Sequence, residues 1–149
     1  MTLITAQQAL VNLTTTDRTE AIRTLAQTLI PSGRLSNLEA FLGDVARREA
    51  QMATGLPGGV AIPHSRSRYA VEPSLVFGRS DRGIDWGAND GPARLIFLIA
   101  VPAGGDIDQL AILAKLARRL TKASFREDLL TLTDEQAIAD LLDREVVNA

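Results

Sequence analysis

Apolar residues recur three and four positions apart along residues 17–30, which is the spacing of a helix that buries one face. Asp17, with Glu20 three positions later, forms the pattern of a capping box, so we predict that the helix begins here. The same spacing resumes after Asn37, which predicts a second helix with Asn37 as its N-cap. This second helix should end near Arg48-Glu49, just before a glycine-rich stretch.

Apolar runs in the middle of the chain predict buried β-strands. Val60-Ala61-Ile62 is β-branched at both ends, which suits a short strand. Pro63 should end this strand, because proline has no N–H to give to a sheet. Residues 94–101 are apolar almost throughout and predict a central strand covered on both faces.

Two other regions carry weaker strand patterns. Residues 6–8 are interpreted as a helical turn, followed by a short strand at residues 10–13. Residues 74–79 and 84–86 predict two strands, and residues 81–83 predict the turn between them.

The last third of the chain predicts helices. One helix should start near Asp106 or Asp108, after the glycine-containing turn that follows the central strand. Ser124 and Thr133 are each followed three positions later by Glu or Gln, so they form two more capping boxes for a short helix and a final one. Helices flanking a few strands predict an α/β layered fold, with residues 1–149 forming one domain.

Composition narrows the class of protein. With 149 residues, 46% of them hydrophobic, the chain can bury a sizeable core. It has no cysteine, which excludes disulfides and thiol chemistry and is typical of a cytoplasmic protein. We find no secretory signal and no apolar run near the ~20 residues of a membrane span, so no direct membrane insertion is expected. A net charge of −2, no basic block and 4% aromatic residues argue against nucleic-acid binding.

His64 is the only histidine in the sequence and the main candidate for nucleophilic chemistry. An unperturbed imidazole titrates near pH ~6.5, so it is available as a neutral nucleophile near neutral pH. His64 follows a predicted strand at the edge where ligand sites of α/β sheets collect. Residues 65–69 are polar and are predicted as an exposed loop. The alternative interpretation is an ordinary surface histidine.

The residues before the strand could hold an anion. Residues 54–59 contain three glycines and a proline, and glycine lets backbone N–H groups approach an anion closely. These N–H groups and the Thr54 hydroxyl would be donors, and Arg48 would supply a forked cation. The alternatives are a plain turn at Gly58-Gly59 and a solvated arginine at a helix C-terminus, where the helix dipole favours it.

Other chemistries find little support. One histidine and no cysteine leave no zinc-type spacing, so no metal site is predicted. The glycine-rich stretch is not followed by Gly-Lys-Ser or Gly-Lys-Thr, so it is not a P-loop. Ser65 and Ser67 lie near His64, but no nucleophile-elbow motif is present, which argues against a hydrolase.

Several motifs in a fixed order resemble those of one family, the enzyme IIA domains of the sugar phosphotransferase system, of the fructose/mannitol type that includes the nitrogen-regulatory IIA proteins. The Ala-Ile-Pro-His element alone is short, but the ordered set covers most of the chain. The matching residues are Arg48-Glu49, Thr54-Gly55, Val60-Ala61-Ile62-Pro63-His64, Gly83-Ile84-Asp85-Trp86, Leu95 to Pro102, and Leu110-Ala111-Ile112-Leu113-Ala114.

The resemblance implies a central mixed β-sheet flanked by helices, and a phosphoryl carrier without a bound cofactor. In this interpretation His64 accepts phosphate on its Nε2 atom from phospho-HPr and passes it to a cysteine of a IIB domain during sugar uptake, with fructose as the expected sugar. Arg48 matches the family's active-site arginine. Thr54, Gly55 and Gly59 are the expected phosphate-binding residues.

The chain departs from the family pattern at Gln109. The family commonly has a second histidine at this position, at the start of the helix after the central strand. A glutamine amide can donate a hydrogen bond to phosphate but cannot carry a positive charge. We therefore interpret Gln109 as a neutral donor near phosphorylated His64, and the alternative is a surface residue of the helix.

Two other functions remain as alternatives. The first is a regulatory protein of the nitrogen-IIA kind, which would act through phosphorylation-dependent binding of other proteins. The second is a relative that has lost phosphoryl transfer. The presence of both His64 and Arg48 argues against this loss.

Overall fold

The computed structural model describes residues 2–105 and 109–147. Within these residues six strands form one mixed sheet, with five α-helices packed around it. The strands are β1 (Ala9–Leu10), β2 (Gly55–Leu56), β3 (Val60–Ala61), β4 (His64–Ser67), β5 (Ser74–Ile84) and β6 (Ala93–Pro102). The helices are α1 (Arg18–Gln27), α2 (Leu38–Gln51), α3 (Gln109–Leu120), α4 (Ala123–Thr131) and α5 (Glu135–Leu142), with a 3₁₀ turn at Ala6–Gln8 and a π-helical turn at Asp143–Val147.

Strand β6 lies at the centre of the sheet, as its apolar sequence predicts. It pairs antiparallel with β5 and parallel with both β3 and β4. Phe77 and Phe97 face each other across the β5–β6 pair, with ring centroids 5.4 Å apart. From Leu95 to Val101 every residue of β6 is buried, which is the pattern of a strand covered on both faces.

The two faces of the sheet bury two separate apolar clusters. Alternate residues of β6 divide between them, since successive side chains of a strand point to opposite faces. Phe97 and Ile99 pack in the cluster that includes α3, α4 and α5. Ile96 and Leu98 pack in the cluster that includes α1 and α2. The predicted α/β layered fold is therefore confirmed, with helices on both faces of a mixed sheet.

Helix starts are predicted well where a side chain caps the helix, and less well elsewhere. The carboxylate of Asp17 accepts from the N–H of Glu20, and Asn37 caps α2 in the same way. Two predicted caps are wrong. Ser124 lies inside α4, whose N-cap is Lys122, and Asp134 rather than Thr133 caps α5 by accepting from the Gln136 N–H. The predicted helix start at Asp106 or Asp108 lies outside the described residues.

Some strand boundaries differ from the prediction. The strands expected at residues 74–79 and 84–86 are one strand, β5, with an irregular register between Arg79 and Ile84. Gly83 has φ of +83° and donates its N–H to the Ser80 hydroxyl at 3.0 Å, so the expected turn is a bulge within the strand. The helical turn near the N-terminus is present, and the strand after it is β1, which begins one residue earlier than predicted and is shorter.

The polar segment after His64 is not the exposed loop that its composition predicts. Residues 64–67 form β4, in parallel register with residues 99–102 of β6. Ser65 and Ser67 are buried, and the Ser67 hydroxyl donates to the Asp44 carboxylate of α2 at 2.6 Å. This partner, distant in sequence, satisfies a buried hydroxyl, so the segment can be polar and still lie inside.

Among the described residues, no helix is both long and apolar enough to cross a membrane.

Gly43 tests the packing of α2. A glycine inside a helix costs about 0.5–1 kcal/mol relative to alanine, and a Cβ at Gly43 would meet only the Nη1 atom of Arg47, at 3.7 Å. We therefore expect Gly43→Ala to raise the free energy of unfolding by about this amount in urea denaturation. The matched variant Gly55→Ala should lower it, because that Cβ would lie 3.0 Å from the Trp86 carbonyl oxygen. Equal effects of the two variants would contradict this packing.

Candidate functional site

His64 is buried at the start of β4, where this strand packs against α2. Strand β3 ends at Ala61, Pro63 interrupts the pairing, and His64 begins β4 opposite Ile99 of β6. The Pro63 carbonyl accepts from the Ile99 N–H at 3.0 Å, so β3 and β4 follow the same partner strand on either side of the break. His64 is only 7% exposed. Its side chain is therefore fixed by the sheet and not left on a loop.

The two ring nitrogens of His64 have different partners. Nδ1 lies 2.7 Å from the Ile62 carbonyl oxygen. A carbonyl only accepts hydrogen bonds, so this contact assigns the proton to Nδ1. Nε2 is then unprotonated, and it accepts a hydrogen bond from Nε of Arg48 at 3.2 Å. The geometry thus selects the tautomer whose Nε2 lone pair faces Arg48.

The surroundings favour the neutral form of His64. Burial is the largest effect and lowers the pKa of the imidazole, because it penalises the charged form. The Arg48 charge lowers this pKa further, while the Ile62 carbonyl and the Glu49 carboxylate oppose both effects. The net shift is downward, so the imidazole is neutral at neutral pH.

Arg48 and Glu49 are neighbours in the last part of α2 and hold different sides of the site. Besides His64, the guanidinium of Arg48 binds the carbonyl of Met52, the residue at the C-cap of α2, at 2.9 Å. The Glu49 carboxylate accepts from the Thr54 N–H at 3.2 Å and also from the Thr54 hydroxyl. One end of the helix therefore fixes both the histidine and the start of the β2–β3 hairpin.

These contacts close into a loop that we call the hydrogen-bonded ring, formed by Arg48, Glu49, Thr54, Ile62 and His64. The Ile62 N–H donates to the Thr54 carbonyl at 3.1 Å, while the Ile62 carbonyl accepts from His64. Arg48 completes the ring through its contact with Nε2 and its peptide bond to Glu49. Both the N–H and the carbonyl of Ile62 are thus hydrogen-bonded within the site, which restricts the orientation of the imidazole.

In the structure the predicted phosphate-binding residues contact other parts of the protein. Both donors of Thr54 are bound to Glu49. Gly55 lies in β2 against Trp86, and the Gly59 carbonyl accepts from the N–H groups of Arg94 and Leu95. None of these glycines or Thr54 is among the residues that line the cleft beside His64. Their contact with phosphate remains a prediction.

An open cleft of about 750 Å³ lies beside His64, between α2 and β4. It brings together four arginines and one aspartate that are scattered in the sequence. These charged lining residues are Asp44, Arg47, Arg48, Arg66 and Arg68. Only Arg48 was a site candidate from the sequence. The signal for the others is their position, since Arg66 lies in β4 and Arg68 directly after it, while Asp44 lies one turn before Arg48 on α2 and Arg47 is next to Arg48.

Two further expectations from the sequence concern Gln109 and metal binding. Gln109 is the first residue of α3, and its side chain lies outside the described part of the structure. Among the described residues, no group of histidine, cysteine or acidic side chains could hold a metal ion.

The sequence matches the family model of the phosphoenolpyruvate-dependent sugar phosphotransferase system, EIIA 2, over residues 2–145. It is 38% identical over 123 residues to the fructose-specific EIIA component of Haloferax volcanii, covering 82% of this chain and 80% of that protein. It is 32% identical over 143 residues to the fructose-specific EIIABC component of Bacillus subtilis, covering 95% of this chain but 22% of that protein.

Solved structures share the fold. The nitrogen regulatory protein IIA-Ntr of Neisseria meningitidis superposes with a TM-score of 0.84 at 26% identity, over 94% of this chain and 96% of that one. The complex of enzyme IIAMtl with phosphorylated enzyme IIBMtl from Escherichia coli matches with a TM-score of 0.79 at 22% identity, over 97% of this chain and 99% of that one. At this identity the second match shows the fold alone.

The charges around His64 can be tested by its titration. Because His64 is the only histidine, its ring proton signal in an NMR titration is unambiguous. We expect a midpoint below the ordinary ~6.5 of histidine, since burial lowers the pKa. Arg48→Ala should raise the midpoint, because it removes a nearby positive charge and exposes the imidazole to water. Glu49→Gln should lower the midpoint, because it removes a nearby negative charge. Shifts of the same sign in both variants would contradict the arrangement, and Arg82→Ala, an exposed and distant change, is the control.

Proposed function

The chain belongs to the EIIA 2 family of the phosphoenolpyruvate-dependent sugar phosphotransferase system, a family of phosphotransferases, and we propose that it is a phosphoryl carrier. In this role Nε2 of His64 accepts a phosphoryl group from phospho-HPr and donates it to a cysteine of a IIB domain during sugar uptake. The observation that carries the proposal is the Nδ1 contact with Ile62, which leaves Nε2 unprotonated, so that its lone pair can attack phosphorus once Arg48 donates to a phosphoryl oxygen instead.

The two transfer steps balance without another reagent. In the first, the Nε2 lone pair of His64 forms a bond to phosphorus while the bond between phosphorus and the donor breaks, and the donor keeps that electron pair. In the second, a cysteine thiolate attacks phosphorus and the phosphorus–Nε2 bond breaks, which restores the neutral imidazole. His64 keeps its proton on Nδ1 throughout, so no base has to move a proton.

Arg48 would stabilise the transferred group. Its Nε donates to Nε2 in the free protein, at 3.2 Å, and in the phosphorylated protein the same group would donate to a phosphoryl oxygen. A phosphoryl group on a side chain carries roughly −1.5 to −2 charge at neutral pH. Transfer passes through a loose transition state with charge on the equatorial oxygens, so a positioned guanidinium is the kind of group that lowers the barrier.

The names of the relatives support fructose as the sugar and a IIB domain as the acceptor. Both relatives described above are named as fructose-specific, and the second carries IIB and IIC parts in the same polypeptide. The mannitol complex pairs a domain of this fold with phosphorylated IIB. The open cleft beside His64 provides an approach for such a partner.

A regulatory function is the second candidate. It is favoured by the likeness to IIA-Ntr, with a TM-score of 0.84 over 94% of the chain. Such a protein would accept phosphate on His64 in the same way and act by binding other proteins according to its phosphorylation state. The two functions differ in whether the phosphoryl group leaves His64 for a IIB domain.

Reconstitution with phosphoenolpyruvate, enzyme I, HPr and a fructose IIB domain tests the carrier function. We expect acid-labile phosphate on His64 that moves to IIB, and none on His64→Ala. Arg48→Lys keeps the charge but loses the forked donor, so the transfer rate should fall about tenfold or more. Arg82→Lys is the matched control and should keep the rate. Phosphate that stays on His64 with IIB domains would support the regulatory function, and no phosphate on folded protein would contradict both.

Gln109 is tested by the same assay. As a neutral donor to phosphorylated His64, it should be replaceable by histidine with retention of transfer, while Gln109→Ala should slow transfer several-fold, the cost of about one hydrogen bond to a charged group. If Gln109→Ala transfers phosphate at the unaltered rate, the donor role is excluded and Gln109 is a surface residue.

A further inference from the structure

The cleft beside His64 is larger than one phosphoryl group requires. Its volume of about 750 Å³ lies within the roughly 300–1,000 Å³ of sites that hold whole small molecules. It follows α2 from Ala40 to Gln51, which is about 16 Å at 1.5 Å per residue. Arg48 contacts His64 toward the C-terminal end of this stretch, whereas Asp44, one turn earlier, contacts Ser67. A phosphoryl group on Nε2 would therefore contact only part of the cleft, and the rest is open to a small molecule when no partner protein is bound.

The cleft as a whole is strongly basic. The described lining residues carry four guanidinium groups against the carboxylate of Asp44, a net charge of +3 in a chain whose overall charge is −2. Arg47 is paired with Asp44. Arg66 donates to the Gly105 carbonyl at 3.3 Å, and Arg68 lies over the ring of Tyr69 at 5.2 Å. Within residues 2–105 and 109–147, neither Arg66 nor Arg68 has a carboxylate partner, and both are exposed.

Apart from the aromatic ring of Tyr69, the rest of the described lining is small or polar. Ala40, Gly43 and Ala103 contribute little apolar surface. Gly43 leaves the helix side of the cleft open, although a glycine inside a helix lowers its stability. The Ser65 hydroxyl has only a long contact, 3.4 Å from the Arg66 carbonyl, and the Asp44 oxygens retain lone pairs beyond those that bind Arg47 and Ser67. These groups suit the hydroxyls of a polyol better than an apolar ring system.

We propose that the cleft binds a phosphorylated sugar, a phosphate monoester of a small polyol, next to His64. Arg66 and Arg68 hold the phosphate through charge-assisted hydrogen bonds, and hydroxyls of the sugar reach Asp44 and Ser65. The bound sugar phosphate occupies the approach to Nε2 and competes with the phosphoryl donor. This regulation of transfer rests on the proposed function, whereas the binding itself does not require transfer.

Calorimetric titration of the unphosphorylated full chain tests the binding. The probes are fructose 1-phosphate, fructose and inorganic phosphate. We expect fructose 1-phosphate to bind about tenfold more tightly than inorganic phosphate, and fructose alone not to bind. The double variant Arg66→Ala/Arg68→Ala should weaken binding of fructose 1-phosphate about tenfold or more, because two charge-assisted contacts are lost. The matched double variant Arg82→Ala/Arg118→Ala removes the same charge at exposed positions outside the cleft and should change the affinity by less than about twofold.

Several results would overturn the proposal. They are no binding of fructose 1-phosphate at millimolar concentration, equal affinity for inorganic phosphate, and equal losses in the two double variants when both are folded. In the reconstituted transfer assay, fructose 1-phosphate should slow phosphorylation of the unaltered chain more than that of Arg66→Ala/Arg68→Ala. A chain that binds the sugar phosphate but is never phosphorylated would contradict the proposed function alone. A chain that is phosphorylated but does not bind it would contradict this inference alone.

Discussion

The hydrogen bond from Nδ1 of His64 to the Ile62 carbonyl is the contact on which the site depends. It assigns the ring proton, so Nε2 keeps its lone pair, and at 2.7 Å it restricts the orientation of the imidazole. The contact exists because Pro63 interrupts the strand between Ile62 and His64, which lets the side chain bond back to the preceding carbonyl. A histidine in the interior of an unbroken strand would lose this carbonyl to the sheet.

The central strand β6 makes this break possible without loss of the sheet. It pairs with β3 before Pro63 and with β4 after it, so both sides of the break remain in parallel register with one partner. On the other side, α2 is tied to β4 by the Arg48–His64 and Asp44–Ser67 contacts. The two pairs lie about one helical turn apart on α2, so they set the direction of the helix along the strand as well as its distance. The shape of the cleft follows from this alignment.

The parts of the molecule that depend on local chemistry could be predicted from the sequence. Asp17 and Asn37 are caps because their side chains bond three residues ahead, and β6 is apolar because both its faces are covered. The parts that depend on distant partners could not be predicted. Nothing in the local sequence indicates that Ser67 is buried, because its partner Asp44 lies on another element. Nor does the local sequence indicate that Thr54 donates its hydrogen bonds to Glu49. The gathering of Arg66 and Arg68 beside Arg48 is of the same kind, because it needs the packing of α2 on β4.

The burial of His64 also determines what phosphorylation does to the surface. Burial and Arg48 keep the imidazole neutral, so before phosphorylation the described lining of the cleft has a net charge of +3. Because transfer moves a PO₃⁻ unit while Nδ1 keeps its proton, phosphorylation changes the net charge at this point by about −1, which offsets about a third of it. The attraction of the cleft for anions must therefore differ between the two states, most strongly at low ionic strength. A partner that carries a phosphoryl group meets a strongly basic cleft on the unloaded chain and a less basic one on the loaded chain. The same charges thus favour approach of the phosphorylated donor and release of the donor once transfer is complete.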